Sequence, residues 1–324
     1  MNEPAVVIKR QPSDYLMVFL KGVAMGAADI VPGVSGGTIA FITHIYDELL
    51  SSIRSLRPAA VVVLIKEGPQ AFWQAVNGSF LMTLVMGIAF SLFTLGSLIS
   101  HQLESNPIQV GAFFCGLIVA SIVYMLRQFE RISPLLLLSI ALGTAFIVLL
   151  PMKPLLVEPS PWLIFGAGAL GICAMILPGI SGSFILLLLG MYPVVLEALK
   201  TLDFVTLGIL VAGCLAGLLS FSHLLSALLK HFREPTLGVL TGFLLGSLSV
   251  IWPWKEVLET RLNSQGEWVP LVTQNLVPRQ FELVTGLDSG LFTALTCGFV
   301  GFAVVFGLEL FASRGQKSSR KGDC

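Results

Sequence analysis

The sequence predicts an all-α polytopic membrane protein arranged as an inverted repeat, each half a re-entrant broken hairpin followed by three transmembrane helices. Three observations carry this. Charged residues make up 12% of the 324, half the share of about 25% usual in a soluble domain, and the mean hydropathy is +0.88. Long runs free of Asp, Glu, Lys and Arg follow one another along the chain. A Pro-Gly-x-Ser-Gly break occurs twice, in matching surroundings.

The charge-free runs are 68–103, 105–126, 132–152, 159–196, 204–229, 235–254 and 289–308. Crossing about 30 Å of hydrocarbon takes roughly 20 apolar residues in a helix, so every run except 159–196 is read as one crossing. That run is cut by Pro178, Gly179 and Gly182, leaving arms at 162–177 and 181–192. The N-terminal region has the same form: an arm at 15–30, the break Pro32-Gly33-Val34-Ser35-Gly36-Gly37, and an arm at 38–46. The second arms are too short to span, which allows a re-entrant hairpin or one broken crossing.

Charge placement favours the hairpin. With both breaks re-entrant and six crossings, thirteen Lys and Arg residues fall on one side, including Arg54, Arg127, Lys230 and Arg233. Five fall on the other: Lys153, Lys200, Lys255, Arg261 and Arg279. The positive-inside rule then puts both termini in the cytoplasm. The expected plan is a single membrane domain over 1–324, with repeat one at about 15–152, repeat two at about 159–312 and a cytoplasmic tail at 313–324. The opening apolar stretch holds Lys21 and Asp29 and lacks the form of a cleaved signal.

A shift of 146 residues places Val31-Pro-Gly-Val-Ser-Gly36 over Leu177-Pro-Gly-Ile-Ser-Gly182 and Tyr46 over Tyr192. Gly116-Leu-Ile-Val-Ala-Ser121 likewise resembles Gly242-Phe-Leu-Leu-Gly-Ser247. Three crossings per half is an odd number, so the second half is expected upside down, a plan recurrent in transporters.

Backbone without helical hydrogen bonds cannot face lipid, so the breaks are expected inside protein or around a wet cavity. Free N–H groups at a helix start favour an anion. The candidate anion site is therefore Gly33, Val34, Ser35, Gly36, Gly37 and Thr38 with Gly179, Ile180, Ser181, Gly182 and Ser183. Asp29, an acid within an apolar arm, is a candidate for coupling to a proton or sodium ion, or else a cap for the break's own N–H groups. Its counterpart is Met175. Lys21 either faces the same cavity or snorkels to the interface. Tyr46, Glu48, Tyr192 and Glu197 are secondary candidates. His44, His101, His223 and His231 have no ligand spacing, Cys115, Cys173, Cys214, Cys297 and Cys324 stand singly, and no metal or cofactor is expected. Zero net charge gives no basis for nucleic-acid binding.

The stretch Gly22-Val-Ala-Met-Gly-Ala-Ala-Asp-Ile-Val-Pro-Gly-Val-Ser-Gly-Gly-Thr-Ile-Ala-Phe-Ile42, with Tyr46 and Glu48, resembles the signature of the PopT family of polyprenyl-phosphate transporters. Leu177-Pro-Gly-Ile-Ser-Gly-Ser-Phe-Ile185 with Gly190-Met-Tyr192 fits it too, and the likeness covers about residues 21–311. The resemblance implies a flippase of the inner membrane that returns undecaprenyl phosphate, a lipid carrier, from the outer to the cytoplasmic leaflet for cell-wall and surface-glycan synthesis. Oligomeric state stays open. A phosphatase of the bacitracin-resistance type shares the plan, but its motif follows the serine with arginine, where this chain has Gly36 and Gly182. An ion-coupled carrier of a small anion would need similar site chemistry.

Overall fold

The computed structural model describes residues 10–31, 34–56, 58–150, 158–262 and 268–321. The first half runs α1 (Pro12–Ile30), α2 (Gly36–Ile42), α3 (Tyr46–Ser55), α4 (Pro58–Glu67), α5 (Pro69–Ala75), α6 (Gly78–Ser105), α7 (Pro107–Leu126) and α8 (Pro134–Leu149). The second runs α9 (Pro161–Ile176), α10 (Gly182–Leu188), α11 (Tyr192–Thr201), α12 (Phe204–His231) and α13 (Arg233–Ile251), then β1 (Lys255–Leu262), β2 (Trp268–Asn275), α14 (Pro278–Thr285) and α15 (Leu291–Lys321). Helix starts follow local chemistry: proline opens α1, α5, α7, α8, α9 and α14, where its missing N–H costs nothing. Ser133, Ser160 and Asp203 accept from the first turns of α8, α9 and α12.

By length and composition α6, α7, α12 and α13 can each cross a bilayer, and α10 with α11 qualifies only as a pair bent by 104°. Large apolar side chains such as Phe93 on α6 and Phe292 on α15 stand exposed, as lipid-facing residues do. The molecule is a multi-pass, mainly helical membrane protein. Two runs read as crossings carry shorter apolar helices, α8 and residues 291–307 of α15. Pro134 and Pro151 bracket α8, and 16 residues extend only about 24 Å. The run 68–103 divides into α5 and α6 at Asn77, whose φ of 52° is left-handed. Helix α15 continues to Lys321, through the expected tail.

The second arms also differ from expectation. Each stops after two turns, reverses at a left-handed residue and resumes as a new helix. The reversals are His44 (φ 60°) and Gly190 (φ 69°), in register at 146. In each, the amide one residue further on bonds the carbonyl five residues back: Ile45 to Ala40 (3.0 Å) and Met191 to Leu186 (2.9 Å). Residues 56–77 separate α3 from α6, whereas Leu202 and Asp203 alone separate α11 from α12, so the register falls to 126 beyond this point.

Helix pairing repeats with the elements. Helix α1 packs on α6 and α9 on α12, while α7 packs on α15 and α8 on α13, so the last two pairs join one half to the other. At each pair two glycines stand where any Cβ would strike the partner's backbone. These are Gly22 and Gly87 for α1–α6, Gly168 and Gly213 for α9–α12, Gly116 and Gly301 for α7–α15, and Gly143 and Gly242 for α8–α13. Small residues permit that approach.

Among the described residues, the strands are the one departure from an all-helical fold. They pair antiparallel, Lys255 with Asn275 through Leu262 with Trp268, irregular around Glu259. The pair is anchored on the end of α13: Trp252 Nε1 donates to the Leu276 carbonyl (2.7 Å) and Asn275 Nδ2 to that of Ser249 (2.7 Å). Lys255 Nζ donates to the Val250 carbonyl, and burial lowers its pKa.

Candidate functional site

Both breaks lie in the main core, whose buried members include Val31, Val34, Ile39, Tyr46, Ile176 and Ile180. They carry the same motif but use it differently.

The first break is closed on its own groups. Asp29 Oδ1 accepts the Gly36 N–H (2.7 Å) and Ser35 Oγ accepts that of Gly37 (3.0 Å). The Thr38 N–H bonds the Ser35 carbonyl (2.9 Å) and that of Val34 the Val31 carbonyl (3.1 Å). Buried donors are thereby satisfied at the start of α2. The remaining polar atoms grip the second half. Ser35 Oγ donates to the Met175 carbonyl (2.8 Å), Tyr46 Oη donates to that of Ile176 (3.1 Å), and Thr38 Oγ1 accepts the Gly179 N–H (3.2 Å). Gly37 lies so close to the Ile176 carbonyl that no Cβ fits between them. Gly33 lies outside the described residues.

The second break is open. Gly179 (φ 84°) makes its turn against α13, and Ile180 is buried. No side chain caps α10; Ser181 Oγ pairs instead with Ser183 Oγ (2.8 Å). Met175 occupies the place over Gly182 that Asp29 occupies over Gly36. A cavity of about 220 Å³ lies here, lined by Ser181, Gly182 and Ser183, by Asp29 and Met175, and by small residues of α9 such as Gly168 and Gly171. Asp29 is therefore both the cap of the first break and a wall of the cavity at the second. The structure unites it with Ser181, Gly182 and Ser183, while Ser35, Gly37 and Thr38 are engaged elsewhere.

The secondary candidates separate. Lys21 Nζ donates to the Thr43 carbonyl (2.8 Å), capping the end of α2. Glu48 is buried in a fork with Arg10 (2.6 and 2.5 Å) and accepts from Asn77 Nδ2 (2.9 Å). These bonds to Glu48 hold the Arg10 pKa above its ordinary value. The Glu48–Arg10 pair latches the chain's start onto α3. Tyr192 is half-buried, and Glu197 lies exposed on α11.

A larger cavity, about 430 Å³, escaped the sequence reading. It lies where the His44 reversal and α3 meet the end of α7 and the α12–α13 corner, and His44, Tyr46, Asp47, Tyr124, Lys230 and Arg233 are among its walls. Lys230 and Arg233 had signified only topology, because nothing in the sequence links them to His44.

A family model described as undecaprenyl phosphate translocase-like matches residues 25–269, both breaks included. A polyprenyl-phosphate transporter of Vibrio cholerae is 51% identical over 302 residues, covering 93% of this chain and 98% of that protein. One of Staphylococcus aureus is 32% identical over 256 residues, covering 72% of this chain and 85% of that protein. These are names of transporters and not of enzymes. No solved structure matches the chain significantly. With a family model matched over three quarters of its length and a relative sharing half its residues, the chain belongs to the undecaprenyl phosphate translocase-like family.

Proposed function

We propose that the protein transports polyprenyl phosphate, returning undecaprenyl phosphate from the outer to the cytoplasmic leaflet of the inner membrane for cell-wall and surface-glycan synthesis. The observation that carries this is the open second break, where Ser181, Gly182 and Ser183 face a cavity shared with Asp29. The names of the two relatives support the substrate. A phosphate head cannot cross hydrocarbon unaided, whereas a prenyl tail can stay in lipid. The protein need only give the head a polar place open to each side in turn.

In this reading the hydroxyls of Ser181 and Ser183 and the N–H groups at the start of α10 receive the head. The first break, with Ser35 and Thr38 tied to Met175 and Gly179, holds the two halves in register. Alternating access follows from an inverted arrangement of repeat one (about 15–152) and repeat two (about 159–312), with re-entrant breaks and cytoplasmic termini. Asp29 supplies direction: its carboxylate repels a bound phosphate unless it carries a proton or cation, so the two load together.

Proteoliposomes holding undecaprenyl phosphate in one leaflet test this. Wild-type protein moves the lipid, and Ser181→Ala/Ser183→Ala slows it at least tenfold. Transport unaffected by that double change would remove the site. Asp29→Asn running at the wild-type rate under every pH and sodium gradient would remove the coupling.

A further inference from the structure

The larger cavity is not explained by the breaks. Two exposed cations, Lys230 and Arg233, line it together with one carboxylate, Asp47, with Ser226, and with His44 and Tyr124, whose ring nitrogen and hydroxyl are hydrogen-bonded to each other (3.1 Å). Arg54 stands behind Ser226, donating to its Oγ (2.7 Å). Lys230, in the last turn of α12, complements that helix's negative end. Arg233 does the reverse. It begins α13, a 19-residue helix with no side-chain cap, so its charge opposes the local helix dipole. Glu234 follows it in the same first turn and complements the dipole that Arg233 opposes.

The repeat supplies an independent observation. In the registers of 146 and 126, His44 corresponds to Gly190, Tyr124 to Val250, Lys230 to Glu104 and Arg233 to Pro107. Neither cation therefore recurs at the equivalent positions of the other half.

We infer that this cavity is a second binding site, taking a phosphate monoester. Arg233 offers a planar fork to two phosphate oxygens, Lys230 a point charge and the Ser226 hydroxyl a neutral donor. Tyr46 joins it to the breaks, because it lines the cavity while its hydroxyl holds the Ile176 carbonyl at the end of α9. That the monoester is the head of a polyprenyl phosphate, waiting at one end of the bundle, rests on the transport reading above; the charge chemistry does not.

The test uses full-length protein carrying Ser181→Ala/Ser183→Ala, so that the hydroxyls of the break contribute nothing, in nanodiscs of phosphatidylcholine. Titration calorimetry with farnesyl phosphate and with inorganic phosphate is compared before and after adding Lys230→Gln/Arg233→Gln. At least a tenfold loss of affinity is expected from the added pair and a smaller one from Arg233→Lys, each with a wild-type-like melting temperature. Cation-dependent binding of farnesyl phosphate alone assigns a lipid source, and equal binding of inorganic phosphate assigns a free anion; both uphold the site. Unchanged affinity without the cations overturns it, as does equal binding of phosphatidylglycerol, a diester. A wild-type protein that binds phosphate here yet moves no undecaprenyl phosphate in liposomes would overturn the transport reading and leave this site standing.

Discussion

The two breaks share a motif and a place in the core, yet one is closed and the other open. At the first, a carboxylate and a serine hydroxyl consume the free N–H groups of α2. At the second, a thioether stands where the carboxylate would be, and the serine turns to another serine beside a cavity. In the transport reading proposed above, one copy holds the architecture while the other receives the lipid head. The single exchange of Asp29 for Met175 is the largest chemical difference between them.

That exchange can be reversed. Met175→Asp gives the second break the cap of the first, and transport in proteoliposomes should fall at least tenfold while the protein still purifies folded. Wild-type transport from this variant would mean that the open state of α10 has no role. The next effect concerns fit. Gly37→Ala presses a methyl onto the Ile176 carbonyl and should cost up to about 3 kcal/mol, by the usual range for overpacking. At the matching position, Ser183→Ala should leave the melting temperature in detergent nearly unchanged, because Ser183 is exposed.

Asp29→Ala leaves the buried Gly36 N–H without an acceptor, a loss of about 2 kcal/mol. Asp29→Asn keeps an acceptor and should recover most of it, separating the cap from any coupling role. Tyr46→Phe removes one hydroxyl bond between the halves and should cost about 1 kcal/mol in the same melts. Equal melting of Tyr46→Phe and wild type would show that this bond contributes nothing to their register.

Features written locally were legible in the sequence. Both breaks, their register and the isolation of Asp29 follow from proline, glycine and charge positions alone. The reversal at His44 was hidden because apolar residues continue on both sides of it, and histidine does not announce a left-handed backbone as glycine does at 190. The split at Asn77 was masked in the same way by an unbroken charge-free run. The strand pair was missed because it lies in the charge-interrupted stretch between the runs 235–254 and 289–308, where no element was expected. The basic cavity needs residues far apart in sequence, but a signal existed. Aligning the halves for polar residues without counterparts, the comparison that isolates Asp29, also isolates His44 and Arg233, and it shows a reversed charge at Lys230, opposite Glu104.

The exchange of helices between halves bears on how the chain is made. During synthesis α1 finds α6 early, and α9 later finds α12, each within its own half. Helices α7 and α8 have no such neighbour: their partners, α15 and α13, are the helices at 291–321 and 233–251. The first half to leave the ribosome therefore inserts with two glycine-lined faces unmatched, and must keep them available until nearly the whole chain has followed. By this pairing a chain severed between 150 and 158 should assemble only when both pieces enter the same membrane together.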